Sequence, residues 1–214
     1  MLKSTPYIVV EGPIGVGKTA LTQMLAKRLG AQPVLEIVEE NPFLASFYAD
    51  RSKHAFQTQL FFLLSRFRQQ QELSQPELFA QATVSDYLFA KDRLFAQLNL
   101  DPHEFLLYEK IYELLGTRVV KPDLVIHLSA RLDVLLARIR RRGREFERRF
   151  DATYLERLTE AYNEFFFTYD ETPLLVVNTS DIDFVQSQED FEGLLSAISR
   201  MKKGVQAYHP VSNR

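Results

Sequence analysis

Cysteine is absent from the 214-residue sequence, and so is an excess of charge of either sign. Without cysteine the chain forms no disulfide bond, no thiolate zinc site and no cysteine nucleophile, which fits a reducing compartment. The 26 basic and 28 acidic side chains give a formal net charge of -2. General nucleic-acid binders usually carry a clear basic excess, so we expect no nucleic-acid partner.

Long apolar runs are also missing. The first residues, MLKSTPYIVVEG, contain no stretch long enough for a signal peptide, and no later run approaches the roughly 18 apolar residues of a membrane span. We therefore expect a cytoplasmic protein without a membrane partner. The length predicts a single domain over residues 1–204. The tail at 205–214 lacks a clear hydrophobic period and is expected to be loose.

Short apolar runs alternate with longer segments of helical period, which is typical of an α/β protein with a five-stranded parallel sheet flanked by helices. The predicted strands are Tyr7–Val10, Val34–Ile37, Ala82–Ser85, Leu124–Leu128 and Leu174–Val177. The predicted helices are Thr19–Leu29, Phe56–Gln71, Pro102–Leu115, Leu132–Arg141, Tyr154–Tyr169 and Gln188–Arg200.

A phosphate-binding loop follows the first predicted strand and precedes the first predicted helix. Its residues match the pattern G-x-x-x-x-G-K-[ST], and the strand–loop–helix context is the one that this mechanism requires. Lys18 is expected to reach the β- and γ-phosphates of ATP or GTP, and the Thr19 hydroxyl to bind Mg²⁺. Backbone N–H groups of the loop are expected to surround the phosphates. The loop consists of Gly12, Pro13, Ile14, Gly15, Val16, Gly17, Lys18 and Thr19.

An arginine-rich run at residues 138–149 holds seven arginines and two glutamates, so it carries +5 while the rest of the chain carries -7. Arginine is always charged and suits bidentate phosphate contacts, and Gly143 interrupts the helix where a hinge would lie. We interpret residues 138–150 as a lid that closes over the transferred phosphate. A solvated helix end and a nucleic-acid contact are the alternatives.

Two acids follow predicted strands at the edge of the sheet where ligands bind in parallel α/β folds. Glu36 ends the second strand and Asp86 follows the third, so one can accept a proton and the other can help to hold Mg²⁺. Glu39 and Glu40 are better explained as the acidic start of a helix that Asn41-Pro42 opens.

Two further polar residues are candidates for contact with a bound base. Gln59 and Arg66 are seven residues apart, hence on one face of an aromatic-rich helix. Asp92 and Arg93 follow Asp86 by six and seven residues, and a surface ion pair is the alternative for these two.

The ordered set of motifs resembles the deoxynucleoside kinase family, P-loop enzymes that phosphorylate the 5′-hydroxyl of deoxynucleosides, and especially its small bacterial deoxyadenosine and deoxyguanosine kinases. The resemblance extends over nearly the whole chain and implies a P-loop NTPase-type three-layer fold with an arginine-rich lid. It rests on EGPIGVGKT, LEIVEENPF, FYAD, QLFFLLSRFR, SDYLFAKDR and RIRRRGREFE.

The resemblance implies a role for each matching position. Glu36 is the general base, although the family's E-P-V motif has Ile37 in place of its proline. Tyr48 and Glu147 hold the sugar 3′-hydroxyl, and Asp86 keeps a role linked to Mg²⁺. The residues that recognise the base are Gln59, Arg66 and Asp92, and the phosphate-binding arginines of the lid are Arg138, Arg142 and Arg144.

The sequence departs from the family after the third strand, where an acid is usually followed by arginine. Here Asp86 is followed by Tyr87, so either a lid arginine or Arg93 covers for the missing guanidinium, or activity is reduced, or the substrate differs. In the family, retaining the Arg66–Asp92 pair goes with purines and deoxycytidine. The likeness therefore favours deoxyadenosine or deoxyguanosine, with ATP as donor and Mg²⁺ as cofactor.

Two other functions are consistent with the same motifs. A nucleoside-monophosphate kinase shares the P-loop, the lid and the size, but it needs a second cationic site for the phosphate of its acceptor. A non-catalytic nucleotide sensor would explain the missing arginine at position 87. Family members are commonly dimers packed through helices, so a homodimer through Phe56–Arg68 and Pro102–Leu115 is expected, although core packing explains those apolar stripes equally well.

Overall fold

A computed structural model describes residues 6–73, 82–147 and 151–209. Its parallel sheet contains six strands in the order β2-β3-β1-β4-β5-β6 within these ranges. The strands are β1 (Tyr7–Glu11), β2 (Gln32–Val34), β3 (Thr83–Ser85), β4 (Leu124–Ser129), β5 (Leu174–Asn178) and β6 (Val205–Tyr208). The helices are α1 (Lys18–Leu29), α2 (Leu44–Ala49), α3 (Arg51–Leu73), α4 (Lys91–Asn99), α5 (Pro102–Gly116), α6 (Leu132–Arg142), α7 (Ala152–Phe167) and α8 (Gln188–Arg200).

The core lies on both faces of the central strands. Every residue of β1 is buried, and five of the six residues of β4 are buried, as expected for strands covered by helices on both sides. Chain order reverses around β1, since β3 lies on one side of it and β4 on the other. In open α/β sheets the ligand crevice forms at such a point, beyond the carboxyl ends of the strands. The fold therefore places Glu11 and the P-loop beside Asp86 at this crevice.

The second strand was predicted over Val34–Ile37, and this prediction is wrong. The strand is Gln32–Val34, at the edge of the sheet, and it pairs only with β3 in the described part of the chain. Leu35 and Ile37 line a cavity instead of continuing the strand, which explains their apolar character. Glu36 consequently lies two residues beyond β2, in the connection to a 3₁₀ turn at Val38–Glu40.

The predicted loose tail is corrected in part by the structure. Residues Val205–Tyr208 form β6 and pair in parallel with β5, where Leu174 N–H donates to the Gly204 carbonyl at 3.0 Å. Residues 210–214 and residues 148–150 of the predicted lid lie outside the described residues. Helix α2 follows the predicted helix start at Asn41-Pro42, whereas α4 was not predicted; α4 is important because it carries Lys91 and Asp92.

Helix ends follow local sequence signals. The side chain of Asp101 accepts hydrogen bonds from the N–H groups of His103 and Glu104, and Glu104 bonds back to Asp101 N–H, which is a complete capping box before α5. Gly143 ends α6 with a positive φ of 70°, which glycine adopts readily. None of the helices in the described ranges is both long enough and apolar enough to cross a membrane.

His127 of β4 gives the stability of the fold a specific pH dependence. Its ring stacks on Phe166 at 4.1 Å between centroids, and burial lowers its pKa from 6.5 to about 4. Between these two values the unfolded chain binds a proton that the folded chain does not, so the free energy of unfolding falls as pH falls from 6.5 to 4. We expect the variant His127→Phe to lose this component, up to about 1.4 kcal/mol per pH unit.

Denaturant unfolding of the wild type and of His127→Phe at several pH values between 7 and 4 measures this difference. The shallower pH dependence in the variant is the expected result. Parallel curves for the two proteins would show that the buried imidazole does not resist protonation.

Candidate active site

The P-loop connects β1 to α1 and depends on glycine for its shape. A Cβ atom at Gly12 would lie 2.2 Å from the Leu128 carbonyl oxygen of the neighbouring strand, so only glycine fits there. The Lys18 ammonium donates hydrogen bonds to the carbonyls of Gly12, at 2.7 Å, and Pro13, at 3.2 Å. Burial, followed by repulsion from Lys91, lowers the pKa of Lys18 to about 8. An anionic phosphate in the loop would favour the charged amine again.

A cavity of about 400 Å³, named here the P-loop cavity, opens over this loop. The end of the P-loop, the start of α1 and the lid surround it. Its lining consists of Gly15, Val16, Gly17, Lys18, Thr19, Ala20, Arg138, Arg141, Arg142, Arg144, Asp183, Phe184 and Val185. Loop N–H groups, a helix N-terminus and four arginines make this a suitable site for a polyphosphate.

A second cavity of about 360 Å³, named the aromatic cavity, lies on the other side of the lid residues. Phe47, Phe62 and Phe95 provide flat apolar faces, while Gln59 and Arg66 of α3 provide polar groups. Such a mixture suits a planar heteroaromatic ring, because the ring can stack on the aromatics and form hydrogen bonds at its edge. Glu36, Tyr48 and Glu147 also line this cavity.

Four residues line both cavities: Lys18, Thr19, Arg142 and Arg144. They mark the place where a polyphosphate in the P-loop cavity would meet a molecule in the aromatic cavity. Each cavity has its own chemical character, and the boundary between them is cationic. The arrangement can therefore bring a phosphoryl donor and a separate acceptor together.

Glu36 is held from both sides at the wall of the aromatic cavity. Its Oε1 accepts hydrogen bonds from the Arg66 guanidinium, one of them from Nε at 2.8 Å, and its Oε2 accepts from the Lys91 ammonium at 3.1 Å. Burial raises the pKa of Glu36, but Arg66 and Lys91 together outweigh burial and hold the pKa well below its usual range. The carboxylate is therefore ionised and ready to accept a hydrogen bond.

Asp86 connects Glu36 to the P-loop. Its Oδ1 accepts from the backbone N–H of Glu36 at 2.7 Å, and its Oδ2 accepts from the Thr19 hydroxyl at 2.6 Å. A hydroxyl and a carboxylate oxygen side by side next to the P-loop are oxygen donors that would suit Mg²⁺. No group of three or more acidic, histidine or cysteine ligands occurs among the described residues.

The three residues predicted to recognise a base form one buried network. Arg66 forms an ion pair with Asp92, and Gln59 Nε2 donates to the Asp92 carbonyl at 3.3 Å. The Tyr108 hydroxyl donates to Asp92 Oδ1 at 2.9 Å. Gln59 and Arg66 line the aromatic cavity, whereas Asp92 does not and lies behind them within the described structure. Asp92 thus orients Gln59 and Arg66, and its part in recognising a base stays a prediction.

The arginines of the lid have two different environments. Arg138 donates to the backbone carbonyls of Val16, Thr179 and Ile182, at 3.2, 2.8 and 3.2 Å, so it also ties the lid helix to the P-loop. Arg142 forms a bidentate pair with the buried Glu147, with distances of 2.6 and 3.1 Å. Arg144 pairs with Glu39 at 2.7 Å, so this acid of the 3₁₀ turn at Val38–Glu40 also contacts the lid.

Lys91 and Glu11 belong to the site although the sequence interpretation did not select them. Lys91 is 3 % exposed at the start of α4, and Glu11 is fully buried at the end of β1. Arg93, considered as the replacement for a missing arginine, instead forms an exposed pair with Glu109 on the far side of α4. The sequence signal that could have indicated Lys91 is its closeness to Asp86, which it follows by five residues in SDYLFAK.

Comparisons with known proteins agree on one family. The sequence profile described as "Deoxynucleoside kinase" matches residues 8–203. The chain is 38 % identical to the deoxyguanosine kinase of Bacillus subtilis over 205 residues, which covers 94 % of this chain and 99 % of that protein. It is 34 % identical to the deoxyadenosine kinase of Lactobacillus acidophilus, with 89 % and 94 % of the two chains covered. The structure of deoxyadenosine kinase from M. mycoides with bound dATP superposes with a TM-score of 0.79 at 26 % identity, covering 90 % of this chain and 99 % of that one.

Proposed function

Since the chain belongs to the deoxynucleoside kinase family, we propose that it transfers the γ-phosphoryl group of ATP to the 5′-hydroxyl of a purine deoxynucleoside, with Glu36 as the proton acceptor. The bond from the 5′-oxygen to the γ-phosphorus forms while the bond from that phosphorus to the β,γ-bridging oxygen breaks. ADP leaves, and the hydroxyl proton passes to the Glu36 carboxylate. The products are ADP and a deoxynucleoside 5′-monophosphate.

One observation carries this proposal: the P-loop cavity and the aromatic cavity meet at Lys18, Thr19, Arg142 and Arg144. ATP phosphates in the P-loop cavity would present the γ-phosphorus at this boundary. Glu36 lies on the aromatic side, where a nucleoside stacked on the phenylalanines would present its 5′-hydroxyl. Lys18, Arg142 and Arg144 would neutralise charge on the transferred group and exclude water from it.

The oxygen donors at the boundary support a role for Mg²⁺. Thr19 and Asp86 would hold the ion, since their side-chain oxygens are 2.6 Å apart and both line the aromatic cavity next to the P-loop. When bound, the ion would neutralise charge on the β- and γ-phosphates. The Glu36 N–H bond to Asp86 ties the proton acceptor to the same point.

Within the aromatic cavity, Gln59 and Arg66 would form hydrogen bonds with the edge of the base. Tyr48 and Glu147, which line the cavity near Arg142, would hold the sugar 3′-hydroxyl. The names of the relatives favour a purine, since they are deoxyguanosine and deoxyadenosine kinases. Gln59 and Arg66 would distinguish adenine from guanine through their hydrogen bonds with the edge of the base.

A nucleoside is a better acceptor for this cavity than a nucleoside monophosphate. Within the described lining, two cations belong to the aromatic cavity alone, and both are already paired: Arg66 with Glu36 and Asp92, and Lys91 with Glu36 and Glu11. A second phosphate on the acceptor would therefore compete with carboxylates that are already in place. A neutral ribose 5′-hydroxyl meets no such competition.

Steady-state rates with ATP, Mg²⁺ and a panel of acceptors test the proposal. We expect the highest kcat/KM with deoxyadenosine or deoxyguanosine, lower values with deoxycytidine, and the lowest with thymidine. Phosphorylation of dAMP or dGMP at least as fast as of the nucleosides would instead identify a nucleoside-monophosphate kinase. Binding of ATP without turnover of any acceptor would identify a nucleotide sensor.

The exposed faces of α3 and α5 support a homodimer. Leu106, Leu107 and Leu114 of α5 are at least half exposed, and Leu64 of α3 is 49 % exposed, so both of these neighbouring helices carry exposed apolar side chains. A second copy of the chain would cover them. The molar mass in solution should be twice that of the chain, and Leu107→Glu should halve it.

A further inference from the structure

Lys91 is buried, which the sequence around it does not indicate. A buried lysine is costly unless anions surround it, and this one has two. Its ammonium lies 3.1 Å from Glu36 Oε2 and 3.8 Å from Glu11 Oε2, and all three side chains are at least largely buried. The lysine is thus held between the end of β1 and the segment that follows β2.

Glu11 provides a rigid anchor for this contact. Its Oε1 accepts hydrogen bonds from the Gly12 N–H at 2.8 Å and from the Tyr162 hydroxyl at 3.0 Å. Its Oε2 accepts from the Leu88 N–H at 2.6 Å. Because Gly12 is the first P-loop residue, Glu11 fixes the phosphate loop and the start of α4 to one point. Lys91 extends that connection to Glu36.

The two oxygens of Glu36 are not equivalent. Oε1 accepts two hydrogen bonds from the Arg66 guanidinium, whereas Oε2 accepts one, from Lys91. A carboxylate oxygen has two lone pairs, so Oε2 retains a position from which it can accept a hydrogen bond from a substrate hydroxyl. Lys91 fixes the direction of that position because it fills the other one.

We propose that Lys91 is the positioning residue that holds Glu36 Oε2 toward the 5′-hydroxyl, in place of the arginine that position 87 lacks. The inference rests on the proposed kinase function. Tyr87 cannot serve, because its ring is fully buried and its phenol carries no positive charge. Arg93 cannot serve, because it is paired with Glu109 outside the aromatic cavity.

The test compares Lys91→Met, Lys91→Arg and the surface control Arg93→Met with the wild type. We expect Lys91→Met to lower kcat roughly 10- to 100-fold, because a misplaced base is a poor proton acceptor, while KM for the purine deoxynucleoside stays within about threefold. Lys91→Arg should recover most of the rate, since it restores a cationic donor. Arg93→Met should match the wild type.

A double variant shows whether Lys91 acts through Glu36. If it does, Glu36→Gln with Lys91→Met should be no more than about threefold slower than Glu36→Gln alone, because the carboxylate to be positioned is already gone. If the fold losses in kcat of the two single variants multiply in the double variant, the proposal is overturned. A Lys91→Met enzyme with wild-type kcat would overturn it as well. A wild type inactive on every nucleoside would refute the kinase function instead.

Thermal unfolding of each variant identifies a folding defect. Should Lys91→Met not fold, Lys91→Arg decides the question. A folded Lys91→Arg enzyme with kcat within about tenfold of the wild type and an unchanged KM supports the positioning role. A folded Lys91→Arg enzyme with a larger loss, or with a raised KM instead, contradicts it.

Discussion

Glu36→Gln is expected to lower kcat by at least about 10²-fold while leaving the affinity for the nucleoside nearly unchanged. The amide keeps the size of the side chain and can still accept a hydrogen bond through its oxygen, but it cannot take the proton of the attacking hydroxyl. Gln59, Arg66 and the aromatic side chains of the cavity are unaltered, so ground-state binding should persist. Initial rates at saturating ATP, together with calorimetric titration of the nucleoside, measure both quantities.

Glu39→Gln is the matched variant, because it makes the same change three residues later. Glu39 pairs with Arg144 at the rim, and its side chain is 58 % exposed, so its contribution to the rate should be modest. A greater loss of kcat in Glu39→Gln than in Glu36→Gln would mean that the proton acceptor has been assigned to the wrong carboxylate.

Asp92→Ala is expected to destabilise the fold by about 3–5 kcal/mol, since it removes one partner from a buried ion pair. Asp92 is fully buried and accepts hydrogen bonds from Arg66 and Tyr108, and both of these donors are themselves buried. For a chain of this length, each kcal/mol corresponds to about 2–4 °C in Tm. Denaturant unfolding should therefore show a clearly lower midpoint.

The neighbouring pair gives the control for this prediction. Arg93→Gln breaks a pair with Glu109 in which the arginine side chain is 55 % exposed, and such pairs contribute about 1 kcal/mol or less. If the two variants were destabilised equally, the Arg66–Asp92 pair would not have the structural importance assigned to it. Asp92→Ala should also weaken discrimination among nucleosides, because Gln59 and Arg66 lose the group that orients them.

Local signals in the sequence predicted the position of the P-loop in the fold well. The P-loop is continuous in the chain, and its spacing alone predicts that Lys18 and Thr19 lie at the start of a helix, where α1 begins. Asp86 was also found, because the acid that follows a buried parallel strand reaches the same edge of the sheet. In both cases a short segment determines the position of the side chain.

Features that depend on contacts between distant segments were predicted poorly. Strands β2 and β6 are the edges of the sheet, and their side chains are largely exposed, so neither shows the apolar run of a central strand. Leu35 and Ile37 have that apolar character because they line a cavity. Periodicity alone cannot distinguish an apolar side chain of a buried strand from one that lines a cavity.

The residues of α4 at the site were also difficult to predict, because their contacts involve distant segments of the chain. Lys91 and Asp92 are buried and Arg93 is exposed, although the three are consecutive. Lys91 contacts Glu11 and Glu36, which are 80 and 55 residues away in the sequence. Asp92 contacts Arg66, which is 26 residues away. Because helix α4 was not predicted, the sequence could not show which of the two cations near Asp86, Lys91 or Arg93, is buried at the site.

The 5′-hydroxyl is central to the account, so the most direct measurement compares a purine deoxynucleoside with its 5′-deoxy analogue. ADP formation from ATP and Mg²⁺ is followed with each, and the nucleoside product is identified by mass spectrometry. With the nucleoside we expect rapid ADP formation and a 5′-monophosphate. With the analogue we expect competitive inhibition and no ADP above background. Equal ADP formation with both, or none with either, would contradict it.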